Sequence, residues 1–296
     1  MHSRKVLLVA LALGATSVAC GGSDSDDSGG DTSLGAEQAL LVEDSNDVDE
    51  SEESVETGIE EPASGAEPTD PGGSVDPSAD LQTMAMAIKT NPGKYFTPAG
   101  CIVTTVLATA TGATATHVFT NCTGPLGKHT YNGTITSTWT RDAANKTLTA
   151  VHTSSDFAID GAKMTALTIT VTHAKQADGT WLKTRKGDWS GATGKGKPIT
   201  HHADYTATYD PASKCVTRDG SSSTTIGGRE HTRAVTGYKR CQVGTGLGLC
   251  PKSGHVEITK KSGAITVKID FDGTSQAKVT TTTGRTFSVP MLCKAN

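Results

Sequence analysis

The sequence predicts an all-β protein, an antiparallel meander of about a dozen strands forming a sandwich or an open barrel-like sheet, with one short N-terminal helix. Three observations predict it. Beyond residue 101, apolar and polar residues alternate with period two: Leu167, Ile169 and Val171 with Thr168, Thr170 and Thr172, then Ile265, Val267, Ile269 and Phe271 with Thr266, Lys268 and Asp270. Turn signals recur between such runs, at Asp160-Gly161, Asp178-Gly179, Asp219-Gly220 and Asp272-Gly273. Helical spacing occurs before the β region, where Leu81, Met84, Ala85 and Ile88 follow a capping Asp76-Pro77 and precede a terminating Asn91-Pro92-Gly93. Met84 and Met86 read as core filler of that helix rather than as ligands.

The chain opens with Arg4 and Lys5, an apolar run from Val6 to Ala15, and small residues up to Cys20. That order is a secretory signal, covering residues 1–19, and its apolar run is shorter than the roughly 20 residues that cross a bilayer. Ser17-Val18-Ala19-Cys20 resembles the lipobox of bacterial lipoproteins. The resemblance implies a diacylglyceryl group on the Cys20 thiol and a further acyl chain, such as palmitate, on the new amino terminus; two or more chains give a stable membrane anchor. Gly21 in place of Asp, again by resemblance, lacks the inner-membrane retention signal and favours the outer membrane. The alternative is an ordinary signal peptidase cut, which releases a soluble protein with a free thiol at Cys20. Removing Cys20 from the seven cysteines leaves an even six for the exported domain, as the lipidated reading requires.

Residues 20–75 read as a disordered acidic tether. Positions 21–80 hold 19 Asp and Glu and no Lys or Arg, a composition that cannot bury enough apolar surface to offset its ordering entropy. Its isolated apolar patch, Ala39-Leu40-Leu41-Val42, is a candidate transient helix or docking segment. The formal net charge of -4 therefore hides a division, because residues 81–296 carry 12 acidic and 25 basic side chains. A basic domain on an acidic strap points to attraction for an anionic glycan or lipopolysaccharide, with nucleic acid least favoured, or to self-association of tether and domain. Charge dispersed over the surface for solubility is the plain alternative.

The exported domain, 76–296, is long enough for one large β domain or two related halves. Phe119-Thr-Asn-Cys122, Gly133-Thr-Ile-Thr136 and Asp156-Phe157 through Gly161 recur in order as Tyr238-Lys-Arg-Cys241, Gly254 through Thr259 and Asp270-Phe271-Asp272-Gly273. A hairpin with Thr111-Gly112 as its loop opposes residues whose numbers sum to 223, which Cys101 and Cys122 satisfy. Gly227-Gly228 lies near the midpoint of Cys215 and Cys241, allowing one bulge residue, and Cys250 with Cys293 remains by elimination. Such bridges need an oxidising compartment.

The common catalytic and phosphate-binding motifs are absent, so no catalytic residue, metal site or cofactor is assigned. His201-His202-Ala203-Asp204 splits across the two faces of a strand, bringing too few ligands together for a metal, and Glu230-His231 splits in the same way. The most suggestive surface is Trp181 to Trp189, in which Trp181, Lys183, Arg185 and Trp189 share one face as cations flanked by aromatic rings, suited to sugar rings and anionic groups. The alternative packs the tryptophans inward and uses the cations to protect a sheet edge.

Together with the lipobox and tether, Gly100-Cys101, Asn121-Cys122-Thr-Gly124 and the stretch from Gly284-Arg285-Thr-Phe287 to Cys293 resemble uncharacterised lipoproteins of myxobacterial type. That resemblance implies an envelope location and carries no activity. The expectation is a non-enzymatic envelope lipoprotein, structural or binding an anionic polymer. The alternative is an envelope-assembly or lipid-carrier protein built on an open barrel-like sheet, with a hydrolase third.

Overall fold

A computed structural model describes residues 34, 35, 37–42, 44, 45, 48, 59, 80–124, 129–241, 250–291 and 293. The expected signal peptide, residues 1–19, and Cys20 lie outside the described residues. The β region comprises β1 (Ile102–Ala108), β2 (Gly112–Thr123), β3 (Thr130–Asp142), β4 (Thr147–Ser154), β5 (Phe157–Ile159), β6 (Ala162–Lys175), β7 (Trp181–Ala192) and β8 (Pro198–Asp210). It continues as β9 (Cys215–Ile226), β10 (Arg229–Cys241), β11 (Ser253–Lys260), β12 (Thr266–Asp270), β13 (Gln276–Thr281) and β14 (Thr286–Pro290). All 14 belong to one antiparallel sheet in sequence order, except that short β5 pairs with β3 and β6 beside the main path. The meander is one continuous hydrogen-bonded sheet, as expected, and not a closed barrel.

Directly opposed residues in an antiparallel pair share a face, so the register sorts every side chain. One rank across the sheet runs Ala115, Ser137, His152, Ile169, Gly187, Ala203, Ser222. Its named side chains are buried, and this covered side is termed the inner face. The adjacent rank, Thr116, Thr136, Thr153, Thr168, points outward. Period-two Thr alternation thus gives one wet face, as the sequence pattern requires.

Two helices sit at the start of the domain. Helix α1 (Leu81–Thr90) is capped by Asp80, whose carboxylate accepts from the Thr83 amide at 2.7 Å and the Thr83 hydroxyl at 2.8 Å. The helix therefore starts later than the Asp76-Pro77 opening read from the sequence, because Asp80 satisfies the first free amides. Asn91-Pro92-Gly93 ends α1 but also opens a four-residue turn, α2 (Pro92–Tyr95), since Pro lacks only an amide that a first helical position leaves unused. Met84, Ala85 and Ile88 are buried, while Met86 is exposed, so only the first of the two methionines fills the core. Phe96 meets Phe119 and Tyr131 edge-on at ring separations of 5.2 and 5.4 Å, which closes the β1–β3 end of the inner face. A second apolar cluster occupies the other end and includes Val235, Val256, Ile258, Val267, Ile269 and Val279.

The largest departure from the sequence reading concerns the tether. Residues 37–42, 44, 45, 48 and 59 are helical where disorder is expected. Leu41, Val42, Ser45, Val48 and Ile59 are buried; Leu41 and Val42 join the second cluster, Val48 and Ile59 the first. Leu41, Ser45 and Val48 follow at the spacing of one helical face, so the segment has an inward stripe despite its charge.

Three disulfides link Cys101 to Cys122, Cys215 to Cys241 and Cys250 to Cys293. The first arises by a different register from the one expected. In β1 and β2, Ile102 opposes Phe119 and Ala108 opposes Ala113, so opposed numbers sum to 221 and the loop is Ala110-Thr111. A bulge between Phe119 and Cys122, with Asn121 at φ 49°, absorbs the difference and leaves the two Cα atoms 5.3 Å apart. In β9 and β10 the loop is Gly227-Gly228, both glycines at positive φ (55° and 84°) as a tight hairpin turn demands. One bulge residue between Val235 and Tyr238 then brings Cys241 opposite Cys215. The repeated stretches fall on β2, β3 and β5 and on β10, β11 and the end of β12, neighbouring positions in each set.

Candidate functional site

Strand β7 lies in the middle of the sheet, between β6 and β8, not at an edge. Trp181, Lys183, Arg185 and Trp189 do share one face of it, and that face is the inner one, because Trp189 opposes buried His201 and Arg185 opposes buried Tyr205. They form no exposed row. Arg185 is 4% exposed with its guanidinium 4.9 Å from the Tyr205 ring centroid, and Trp189 is 5% exposed, its ring centroid 5.7 Å from that of His201. Trp181 and Lys183 are half-buried toward the strand's beginning, where Lys175 stands 5.3 Å over the Trp181 ring.

The histidine motifs separate as strand geometry requires. His201 is inward, its Nδ1 2.8 Å from the Thr224 hydroxyl, while His202 is outward, its Nδ1 2.6 Å from Asp188. Asp204 is also outward and pairs with Lys186 at 3.3 Å. Glu230 points outward to Lys261 at 2.6 Å, whereas His231 is buried on the opposite face. Among the described residues no group of three His, Cys, Asp or Glu side chains is arranged to hold a metal ion.

Following the register outward from Arg185 shows what the linear sequence conceals. Lys183 aligns through Ala207 with Arg218, and Arg218 with Tyr238; Val216 opposes Arg240; Ser222 opposes Arg233; Ile226 opposes Arg229; His231 opposes Lys260. Seven cationic side chains from β7, β9, β10 and β11 therefore project from the inner face. The carboxylates of the strands from β7 to β12, namely Asp188, Asp204, Asp210, Asp219, Glu230, Glu257 and Asp270, all fall on the outer register. Three of these pair with lysines there, Glu257 with Lys268 at 3.0 Å in addition to the Asp204 and Glu230 pairs. Tyr205 is at the centre of the inner cations: Arg185 and Arg218 both approach its ring, at 4.9 and 5.9 Å, and its hydroxyl donates to Ser222 at 3.2 Å.

Carboxylates reach this inner face from the acidic N-terminal segment. Asp44 accepts from Arg229 at 2.5 Å, and Glu37 accepts from Lys260. Between those two contacts, Leu41 and Val42 pack in the cluster containing Ala203, Tyr205, Val235 and Ile258. In the register Arg229 and Lys260 stand in the successive ranks of Ile199 and His201, beside the ranks of Ala203 and Tyr205, so the two carboxylates meet their cations at one end of this apolar cluster. Arg218, Arg229, Arg233, Arg240 and Lys260 were not singled out by sequence; the signal was their parity relative to Tyr205 once the strand register is known.

Comparison with protein-family models, with curated proteins and with solved structures yields no match to this chain.

Proposed function

We propose that the protein is an exported, lipid-anchored envelope lipoprotein of the outer membrane, with no enzymatic role, and that its basic sheet binds an anionic polymer of the envelope, a glycan or lipopolysaccharide. Cys20 carries the anchor in this reading. The observation that carries the binding role is the sorting of charge by face: the inner side of β7–β11 gathers seven cations and no carboxylate of those strands. A field of one sign beside a low-dielectric apolar floor raises the local concentration of anionic ligands. The three disulfides are consistent with an oxidising, exported setting.

The open sheet with an apolar inner side supports a second reading, an envelope-assembly or lipid-carrier protein, since a carrier needs an apolar surface shielded from water.

The test of the first reading uses residues 20–296 with Cys20→Ala, retained on immobilised lipopolysaccharide across a salt series. Arg218→Gln with Arg240→Gln is expected to lower retention and flatten its salt dependence. Equal retention of the parent and the double variant at every salt concentration overturns the binding role.

A further inference from the structure

We infer that the acidic segment at residues 37–48 is an internal competitor for the inner-face site, occupying in cis the place that an anionic, acyl-bearing ligand takes. This rests on the binding role proposed above and adds the regulation of that site. The argument is one of chemical matching. Leu41 and Val42 belong to the apolar cluster that includes Ala203, Tyr205, Val235 and Ile258, and Arg229 and Lys260, in successive ranks at one end of it, donate to Asp44 and Glu37. An aliphatic surface with anionic groups gathered at one end is the pattern of a phosphorylated acyl lipid as well as of these contacts of the segment.

Among the described residues, the carboxylates of β7–β12 do not substitute for the segment's charge, because they are committed to the outer register. The face is therefore neutralised either by the segment or by a ligand, and the two exclude each other at Arg229 and Lys260. Residues 34–59 include nine acidic and no basic side chains, so the segment has no repulsion to overcome on entering the site and loses attraction as salt rises. Exclusive occupancy makes ligand binding and segment release the same event, with an apparent affinity reduced by the fraction of molecules in which the segment is docked.

The experiment uses residues 20–296 with Cys20→Ala and purified lipopolysaccharide as the probe. Amide hydrogen exchange is followed at residues 37–48 with and without saturating probe, and binding is measured by co-sedimentation. The expected result is faster exchange in that segment when the probe is bound. Glu37→Gln with Asp44→Asn is expected to tighten apparent binding by about tenfold. Arg229→Gln with Lys260→Gln is expected to weaken binding in either background. Binding with unchanged exchange and no gain from Glu37→Gln with Asp44→Asn overturns the competitor role and leaves the binding role standing. Absence of binding by the parent and by the segment variant, with both folded by circular dichroism, overturns the two together.

Discussion

Asp44 and Arg229 are 185 residues apart in the chain, yet Oδ2 of one lies 2.5 Å from Nη2 of the other. The contact crosses the boundary between an acidic segment without a single cation and a sheet face without a single carboxylate on β7–β11. It makes the segment part of the folded unit rather than a spacer beneath it. Asp44 is 19% exposed and Arg229 41%, which places the pair between a surface and a buried ion pair. Asp44→Asn is expected to lower stability by about 1 kcal/mol in urea unfolding, with a double-mutant coupling to Arg229→Gln of similar size at low salt. A coupling of zero at low salt argues that the pair adds nothing to docking.

The apolar part of the same contact gives a sharper contrast between neighbours. Leu41 is buried and Val42 is 2% exposed, while Leu40, in the same four-residue patch, is 38% exposed. Leu41→Ala is expected to cost about 2–3 kcal/mol in unfolding free energy, and Leu40→Ala under about 0.5 kcal/mol. Equal small effects at the two positions contradict the docked helix.

The sheet and its register were largely legible in the alternation of Thr with Val and Ile, since period two fixes which residues share a face. Trp181, Lys183, Arg185 and Trp189 were correctly grouped for that reason; inward tryptophans were one of the two readings, but the burial of Arg185 was not legible because strand order decides which strand is central. The Cys101–Cys122 bridge was reached through a loop one residue out of place, and only the bulge at Thr120-Asn121 reconciles the pairing with the true register. The docking of residues 37–42, 44, 45 and 48 was hidden by composition. Nineteen carboxylates without a cation describe a disordered chain in isolation, and their partners Arg229 and Lys260 are distant in sequence. The apolar patch at Ala39-Leu40-Leu41-Val42 was the visible trace.

Acid should weaken the fold through His117. Its ring is fully buried on β2, with Nδ1 3.0 Å from the Thr104 hydroxyl. Burial, reinforced by repulsion from His152, pushes its pKa down from 6.5 to about 3. Above pH 6.5 the ring is neutral in both folded and unfolded chains and contributes no pH dependence. As pH falls from 6.5 toward 3, the unfolded chain takes up a proton that the folded chain refuses, so stability declines, by on the order of 4 kcal/mol over the full window. Urea midpoints at pH 7, 5 and 4 are expected to fall less steeply in His117→Gln than in the parent. Parallel pH profiles exclude His117 as a source of the acid sensitivity.

The carboxylates that cap turns act in the same direction at lower pH. Hydrogen bonds from Thr180 hold Asp178 below the usual carboxylate range, those from Thr274 do the same for Asp272, and those from Ser213 and Ala212 for Asp210. Each favours the folded state while ionised and loses that contribution as pH falls through the folded pKa. Asp178→Asn retains a turn-forming side chain but no charge, and is expected to reduce the steepness of unfolding below pH 4. An unchanged acid limb removes this turn from the account.

Cysteine chemistry separates the proposed anchor from the fold. Cys20 is the seventh cysteine, and the other six are paired in three bridges. Cys20→Ala is expected to abolish incorporation of labelled palmitate and move the protein from the membrane to the soluble fraction, with stability unchanged within about 0.5 kcal/mol. Replacing Cys215 and Cys241 together by Ala releases a loop of sequence separation 26 and is expected to cost about 3 kcal/mol while leaving membrane fractionation as it was. The two outcomes are independent because the proposed anchor would act on the bilayer and the bridge acts on the unfolded chain. Continued palmitate labelling of the Cys20→Ala protein would remove Cys20 as the anchor, and a membrane-bound but unlabelled protein would place the attachment on the basic sheet instead.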